Sequence, residues 1–414
     1  MLRLPFPPAP PWAARLLTIG VTGTNGKTST TTWAAAGLRA LGRPVPRVTT
    51  IGSFLDEESL DVEASYDGFL ETMRLGSARG ATRAAIELTS EALALGFAGA
   101  WPCHVGVFTN LSHDHLDAHG SPEHYLASKA QLFVHLPPGG TAVLHGADPA
   151  SKLLEEVVPR GVRVISYGLL GAHCAPPESA GPSNAWSPSR VHLAGRDAEV
   201  SWEGTRMTLA GDGSLGPLPA TLRLRAIGAI YAENALAALA AAIAAGAPAD
   251  AAARAIEEAA PPPGRFEVVA TEPRVIIDYA HTPDALARTL ATARALCRGA
   301  LVVVFGAGGG RDRAKRAPMG AAAAIADRVV LTSDNPRNED PAAIAAAIHA
   351  GLIGHRHVEV ELDRASAIRG AIHRATQDDV VVIAGKGHER VQTTGRARTP
   401  FSDVDVARAA ASSR

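Results

Sequence analysis

Short apolar runs alternate with longer, helix-competent segments along most of this chain. The runs at residues 13–19, 45–52, 84–88, 104–109, 141–144 and 163–167 are bounded by turn signals and predict strands. Residues 31–41, 73–82, 122–136 and 232–245 read as helices. Strands separated by helices imply parallel βαβ units. Residues 56–67 are acidic and weakly patterned and read as loop, and the Pro/Ser/Gly-rich stretch 169–188 as a surface loop. Residues 191–224 alternate around a Gly-Asp-Gly turn and predict a small antiparallel patch. The break Ala260-Pro261-Pro262-Pro263-Gly264 predicts two domains, 1–263 and 264–414. Beyond it the rhythm restarts, with strands at 275–278, 300–305, 328–332 and 380–383 and helices at 283–297, 318–326 and 341–353. The expected fold is α/β twice over, the second domain Rossmann-like, with ligands at the C-terminal ends of its strands.

Between the first strand and the first helix lies Gly20-Val21-Thr22-Gly23-Thr24-Asn25-Gly26-Lys27-Thr28-Ser29-Thr30. Strand, Gly-rich loop, Lys-Thr and helix is the layout of a phosphate-binding P-loop. Backbone N–H groups of residues 23–29 and the helix N-terminus would cradle anionic oxygens. Lys27 would add charge at the outer phosphates, and the Thr28 hydroxyl would reach Mg²⁺. The strict motif also has glycine where this chain has Val21. The plain alternative is a turn ahead of a helix.

Composition narrows the classes. The 414 residues carry a net charge of −1, with no strongly basic domain, so a nucleic-acid surface is not expected. Cys103, Cys174 and Cys297 form neither a CxxC pair nor a disulfide framework, which fits a reducing compartment. The Pro-rich start is no signal peptide, and no apolar run reaches the roughly eighteen residues of a membrane span. A soluble cytoplasmic protein is expected. The abundant helical alanine reads as a compositional bias without functional content.

Further candidate groups sit at predicted strand ends. Glu87 ends one strand, and His113-Asp114-His115-Leu116-Asp117-Ala118-His119 follows another. Three His and two Asp within seven residues suggest metal chemistry rather than a plain polar loop. HxHxD with a further His also occurs in dinuclear zinc hydrolases. Here the last His comes one residue late, and that chemistry uses no P-loop. Asp278-Tyr279-Ala280-His281-Thr282-Pro283, Asp334-Asn335-Pro336-Arg337 and Gly385-Lys386-Gly387-His388-Glu389 follow strands of the second domain and suggest one binding face.

Together these residues resemble the ATP-dependent Mur ligases, most closely the MurE type. The resemblance runs over residues 14–405, through Thr22–Thr28, Phe108–Leu111, Asp114–Asp117, Lys129, Gly264–Glu267, Asp278–Pro283, Gly308–Arg316, Asp334–Arg337 and Gly385–Glu389, in the family's order. It implies a P-loop central domain and an α/β C-terminal domain, with ATP between them. It implies a reaction through an acyl phosphate, with small-molecule substrates; nucleic acid and membrane are not expected partners on the charge and hydropathy given above. Thr28 and Glu87 would ligate one Mg²⁺, and His115 and a carbamylated Lys129 a second. Asn234, Arg265, Asp278 and His281 would surround the nucleotide. Arg311, Asp334, Asn335, Arg337, Gly385 and Glu389 would receive the acceptor, and the Asn-Pro-Arg form is that of diaminopimelate users. An Arg fork there binds a carboxylate bidentately.

The departures concern the donor. Nineteen residues precede the P-loop where the resemblance implies a whole domain gripping a uridine nucleotide. Ser65-Tyr66-Asp67-Gly68 stands where a Thr-Thr-Pro donor motif is expected, Thr89-Ser90-Glu91 replaces Ser-Ser-His, and Tyr231 replaces an Asn. The expectation is therefore a ligase with weak dependence on UDP, or one whose donor site is completed by a partner chain. Alternatives are a paralogue with a non-UDP donor and a nucleotide-binding partner protein whose donor site has decayed. Intact Lys27, Glu87, His115 and Lys129 speak against decay.

Overall fold

In the computed structural model, which describes residues 6–112, 114, 119–171 and 191–414, the first apolar run divides. Pro11–Arg15 form a 3-10 turn, and strand β1 is Leu17–Thr22. Two units divide the chain: Met1–Ser112 with His119–Pro261, and Pro262–Arg414 with the short segment His113–Ala118.

The first unit is built on one sheet. Its further strands are β2 Pro46–Thr49, β3 Gly52–Leu55, β4 Glu58–Leu60, β5 Arg83–Glu87, β6 Val105–Phe108, β7 Thr141–His145, β8 Arg163–Leu170, β9 Leu193–Ser201, β10 Gly204–Gly211 and β11 Thr221–Leu224. The eleven strands run in the order β11-β10-β9-β8-β7-β6-β1-β5-β2-β3-β4. Pairs from β2 through β5, β1, β6, β7 and β8 to β9 are parallel, with antiparallel hairpins at both edges. β1 is buried after its first residue because a central parallel strand is covered on both faces. Lys27–Leu38 is the P-loop helix.

Three expectations change. Residues 191–224 are no separate patch, because β9 pairs in parallel with β8 and extends the main sheet. Residues 56–67 are not all loop. They contain β4, and Ser65 caps the helix Tyr66–Ala78 by accepting the Gly68 N–H at 3.2 Å. The alanines are not idle either. In the helix Ala229–Ala244, Ala235 and Ala237 through Ala242 have no exposed surface. This helix lies so close to the P-loop helix that a Cβ on Gly37 would come 2.8 Å from that of Ala242. Small side chains let the two backbones approach, as interiors are close-packed. Most of the loop expected at 169–188, including Cys174, lies outside the described residues.

The second unit has a six-stranded sheet in the order β12-β13-β17-β14-β15-β16 and a separate hairpin, β18-β19. These are β12 Glu267–Thr271, β13 Arg274–Asp278, β14 Leu301–Phe305, β15 Arg328–Leu331, β16 Val358–Val360, β17 Val380–Ala384, β18 Val391–Thr394 and β19 Ala397–Pro400. All sheet pairs but β12–β13 are parallel. The inner strands β14 and β17 are apolar and wholly buried. Their C-terminal ends deliver the loops that matter below. No helix among the described residues is long and apolar enough to cross a membrane.

Candidate active site

The phosphate loop leaves β1 between β5 and β6, so both neighbouring strand ends flank it. Two of its glycines are required by geometry. Gly23 has φ +148°, and a Cβ there would stand 1.8 Å from Thr109 Oγ1. Gly26 has φ +84°, and a Cβ there would stand 2.2 Å from Asn234 Oδ1. The same contact places the buried Asn234 amide directly against the loop.

Residues after β6 fix the loop from one side. Thr109 Oγ1 donates to the Asn25 carbonyl at 2.7 Å. The Asn110 side chain accepts the Asn25 N–H and donates to the Asn25 carbonyl, each at 3.0 Å. Thr24 Oγ1 donates to the Ser112 carbonyl at 3.2 Å and accepts from Tyr125 O–H at 3.2 Å. Lys27 Nζ donates to the carbonyls of Gly23 at 3.2 Å and Thr24 at 2.7 Å. Ser29 is buried in the first turn of the helix.

From the other side, Glu87 at the end of β5 accepts the Thr28 hydroxyl at 2.9 Å and the Thr50 N–H at 3.1 Å. Thr28 and Glu87 thus form a hydroxyl–carboxylate pair beside the phosphate loop. Mg²⁺ is commonly held by one or two carboxylates plus substrate phosphates, and this pair fits that pattern. No cluster of three or more His, Cys, Asp or Glu among the described residues could hold a metal without such phosphates.

Lys129, on the helix Pro122–Val134, is 1% exposed. Its ammonium donates to the Gly23 carbonyl at 2.7 Å and lies 4.1 Å from the Tyr125 ring centre. An ammonium cannot ligate a cation, so any metal role needs chemical modification of this group. His115 lies outside the described residues. Two described members of the His/Asp-rich run go to different partners. His119 joins Ser90 at 2.9 Å and Ser128 at 3.3 Å. Asp114, grouped with the second unit, sits 3.3 Å from Lys315 Nζ and 3.7 Å from His281 Nε2.

In the second unit, Asp278 at the end of β13 is buried, and burial pushes its carboxyl pKa up, against the pull of Arg265. It accepts the N–H groups of Phe266 at 2.7 Å and Ala280 at 2.8 Å and the Thr289 hydroxyl at 3.1 Å. Asp278 therefore holds the turn carrying Arg265, whose guanidinium lies 4.4 Å from the Tyr279 ring centre. His281 and His388 pack against the same ring.

The loops after β15 and β17 interlock. Asn335 Nδ2 donates to Glu389 Oε2 at 2.8 Å. Lys386, with no exposed surface, donates to Asn335 Oδ1 at 3.2 Å and to Glu389 Oε2 at 2.9 Å. Burial works to raise the Glu389 carboxyl, but the Lys386 ammonium prevails and holds it below its ordinary value. Asp334 is pushed up by burial in spite of Arg364 and Lys386. A Cβ on Gly385 would fall 2.6 Å from Asp334 Oδ2. Arg337 has left-handed backbone, φ 50°, and donates from Nη1 to the Gly309 carbonyl at 2.7 Å. A Cβ on Gly308 would lie 3.0 Å from Arg337 Nη1 and 3.7 Å from Arg311 Cγ, so both arginines flank one glycine. Glu339 pins this region by accepting Gly310 N–H at 2.6 Å and both Arg316 nitrogens.

Sequence reasoning missed Thr50, Tyr125, Lys386 and the bracketing roles of Thr109 and Asn110. Thr109, Asn110 and Lys386 lie inside stretches already singled out, whereas Thr50 and Tyr125 carried no comparable signal.

Residues 21–242 match the Mur ligase middle domain and residues 264–387 the Mur ligase, glutamate ligase domain. The chain belongs to the Mur ligase family. The curated Mur ligases it is similar to are ATP-dependent acid–amino acid ligases. The UDP-N-acetylmuramoyl-L-alanyl-D-glutamate--2,6-diaminopimelate ligase of Alkalilimnicola ehrlichii is 39% identical over 95% of this chain and 76% of its own. The ligase of that name from Synechococcus elongatus is 37% identical over 97% and 78%. A solved structure of a ligase with the same name matches at 32% identity and TM-score 0.61, covering 96% of this chain and 78% of that one. Folylpolyglutamate synthase from Mycobacterium tuberculosis shares the fold, at TM-score 0.70 and 21% identity, over 96% of this Mur ligase and 91% of its own chain.

Proposed function

We propose that this Mur ligase joins 2,6-diaminopimelate, or an amino acid with the same side-chain groups, to a peptide-like carboxylate such as UDP-N-acetylmuramoyl-L-alanyl-D-glutamate. The observation that carries this reading is the Asp334–Arg337 loop. Its Arg337, with Arg311 from the loop after β14 and the anionic Glu389 from the loop after β17, is complementary to a side chain bearing both carboxylate and ammonium. The identity to diaminopimelate ligases over nearly the whole chain supports it.

In this reading the first unit, within 1–263, binds ATP and the second, 264–414, binds the acceptor. Residues 23–29 receive the phosphates. The donor carboxylate oxygen bonds to the γ-phosphorus as the bond to ADP breaks. The acceptor nitrogen then bonds to the acyl carbon, phosphate leaves with the bonding pair, and the nitrogen sheds a proton. Lys27 places its ammonium at the phosphoryl oxygens, where charge must be offset for one anion to attack another. Thr28 and Glu87 would hold a Mg²⁺, which would supply charge neutralisation at the phosphates. Asn234 supports Gly26, and Arg265, Asp278 and His281 serve the nucleotide.

A second Mg²⁺ would be held by His115 and Lys129. Carbamylation would replace the Lys129 ammonium with a carboxylate suited to that ion. Lys129→Ala should then lose activity that short carboxylic acids partly restore. Full activity after exhaustive removal of CO₂ and bicarbonate, with no ¹³C carbamate signal after ¹³C-bicarbonate labelling, would contradict this role.

Steady-state phosphate release with ATP and the muramoyl dipeptide, compared between diaminopimelate and lysine, tests the proposal. Preference for diaminopimelate, lost in Arg337→Ala, is expected. Lysine would leave Arg337 without its carboxylate, and a site built for a polar group discriminates strongly against its absence. Preference for lysine would sink the argument.

A further inference from the structure

The hairpin β18–β19 belongs to neither large sheet, and its outer strand is exposed along its whole length. An isolated two-stranded hairpin is marginal in water. This one is bonded to the Asp334–Arg337 loop and to its neighbour Lys386. Gln392 Nε2 donates to the Asp334 carbonyl at 2.9 Å. The Thr393 N–H reaches Asn335 Oδ1 at 2.9 Å, and the Val391 carbonyl accepts Lys386 Nζ at 2.8 Å. Arg337 N–H donates to the Thr393 carbonyl at 3.0 Å, and Gly395 N–H donates to the Arg337 carbonyl at 2.6 Å.

Both backbone groups of Arg337 are thus fixed by the hairpin at a φ of 50°. A non-glycine residue holds such a conformation only where its surroundings over-determine it. Released to an ordinary negative φ, the guanidinium would leave the chain in another direction. The hairpin also lies beyond residues 264–387, the stretch that matches the glutamate ligase domain.

We propose that the hairpin Val391–Pro400 is a clasp that sets acceptor specificity. It holds Asn335 and Arg337 in the geometry that selects the acceptor side chain, and Gln392 is its positioning residue. The proposal rests on Arg337 facing the acceptor carboxylate, as argued above.

Gln392→Ala removes the bond to Asp334, and Thr393→Pro removes the N–H that reaches Asn335. Arg396→Ala, in the exposed turn, is the control. From the typical value of one hydrogen bond, Gln392→Ala should raise KM for diaminopimelate about fivefold and shrink the diaminopimelate-over-lysine preference similarly. KM for ATP should stay unchanged. Amide exchange across residues 334–338 should quicken in Gln392→Ala and Thr393→Pro but not in Arg396→Ala. Unchanged acceptor KM and preference in Gln392→Ala, while Arg337→Ala loses the preference, would overturn the clasp alone. An intact preference in Arg337→Ala would overturn the acceptor reading and the clasp with it.

Discussion

Lys27 lies across the Gly23 and Thr24 carbonyls at the mouth of the phosphate loop, where a single charge matters most. Lys27→Ala should cut phosphate release by at least about 10³-fold, the scale of other phosphoryl-transfer cations. Near-normal turnover would take the loop out of the mechanism. Glu87→Gln keeps the shape of the Thr28 pair and removes its charge, so half-maximal activity should need more Mg²⁺. An unchanged Mg²⁺ titration would contradict a ligand role. The Arg316 guanidinium and then the Gly310 N–H hold the Glu339 carboxyl at about 2, below its ordinary 4.5. A carboxyl with a lower pKa folded than unfolded stabilises above the unfolded value and loses that contribution as pH falls toward the folded one. Wild type should therefore lose Tm between about 4.5 and about 2 more steeply than Glu339→Gln; parallel curves would show that Glu339 is not the group responsible. Lys27, Thr28 and Arg337 were legible because their neighbours in sequence form motifs, and Glu87 only because it ends a predicted strand. Thr50 was not, because its partner Glu87 is 37 residues away and only the β2–β5 pairing brings them together. Lys386 could be read as part of a motif, but its hold on Asn335 and Glu389 could not.

At the scale of elements, the P-loop helix and the helix Ala229–Ala244 meet at Gly37 and Ala242. Gly37→Leu gains about 1 kcal/mol of helix propensity but overpacks a backbone contact, which typically costs about 1–3 kcal/mol. The overpacking should win, because Ala242 has no flexible end to move aside, and Tm should fall. A raised Tm would show that the two helices can separate freely. The inner strands were readable because burial on both faces leaves a continuous apolar run, as in β14 and β17. The joining of β8 to β9 was not, because alternation in 191–224 says which face is buried but not which strand is the neighbour. The hairpin β18–β19 has no apolar face to reveal it, since polar bonds to another loop hold it in place.

The whole molecule carries the family's two matched domains in order, one around a phosphate loop and one around interlocked strand-end loops. The alternation of strands and helices made the α/β class visible, and the motif order made the family visible. The central claim is that the donor carboxylate is activated as an acyl phosphate. The direct measurement is turnover with a donor whose reacting carboxylate carries ¹⁸O, followed by mass analysis of the products. An acyl phosphate transfers one donor oxygen to inorganic phosphate, so the released phosphate should carry one ¹⁸O per amide bond formed. Unlabelled phosphate, or label appearing in AMP, would contradict the account.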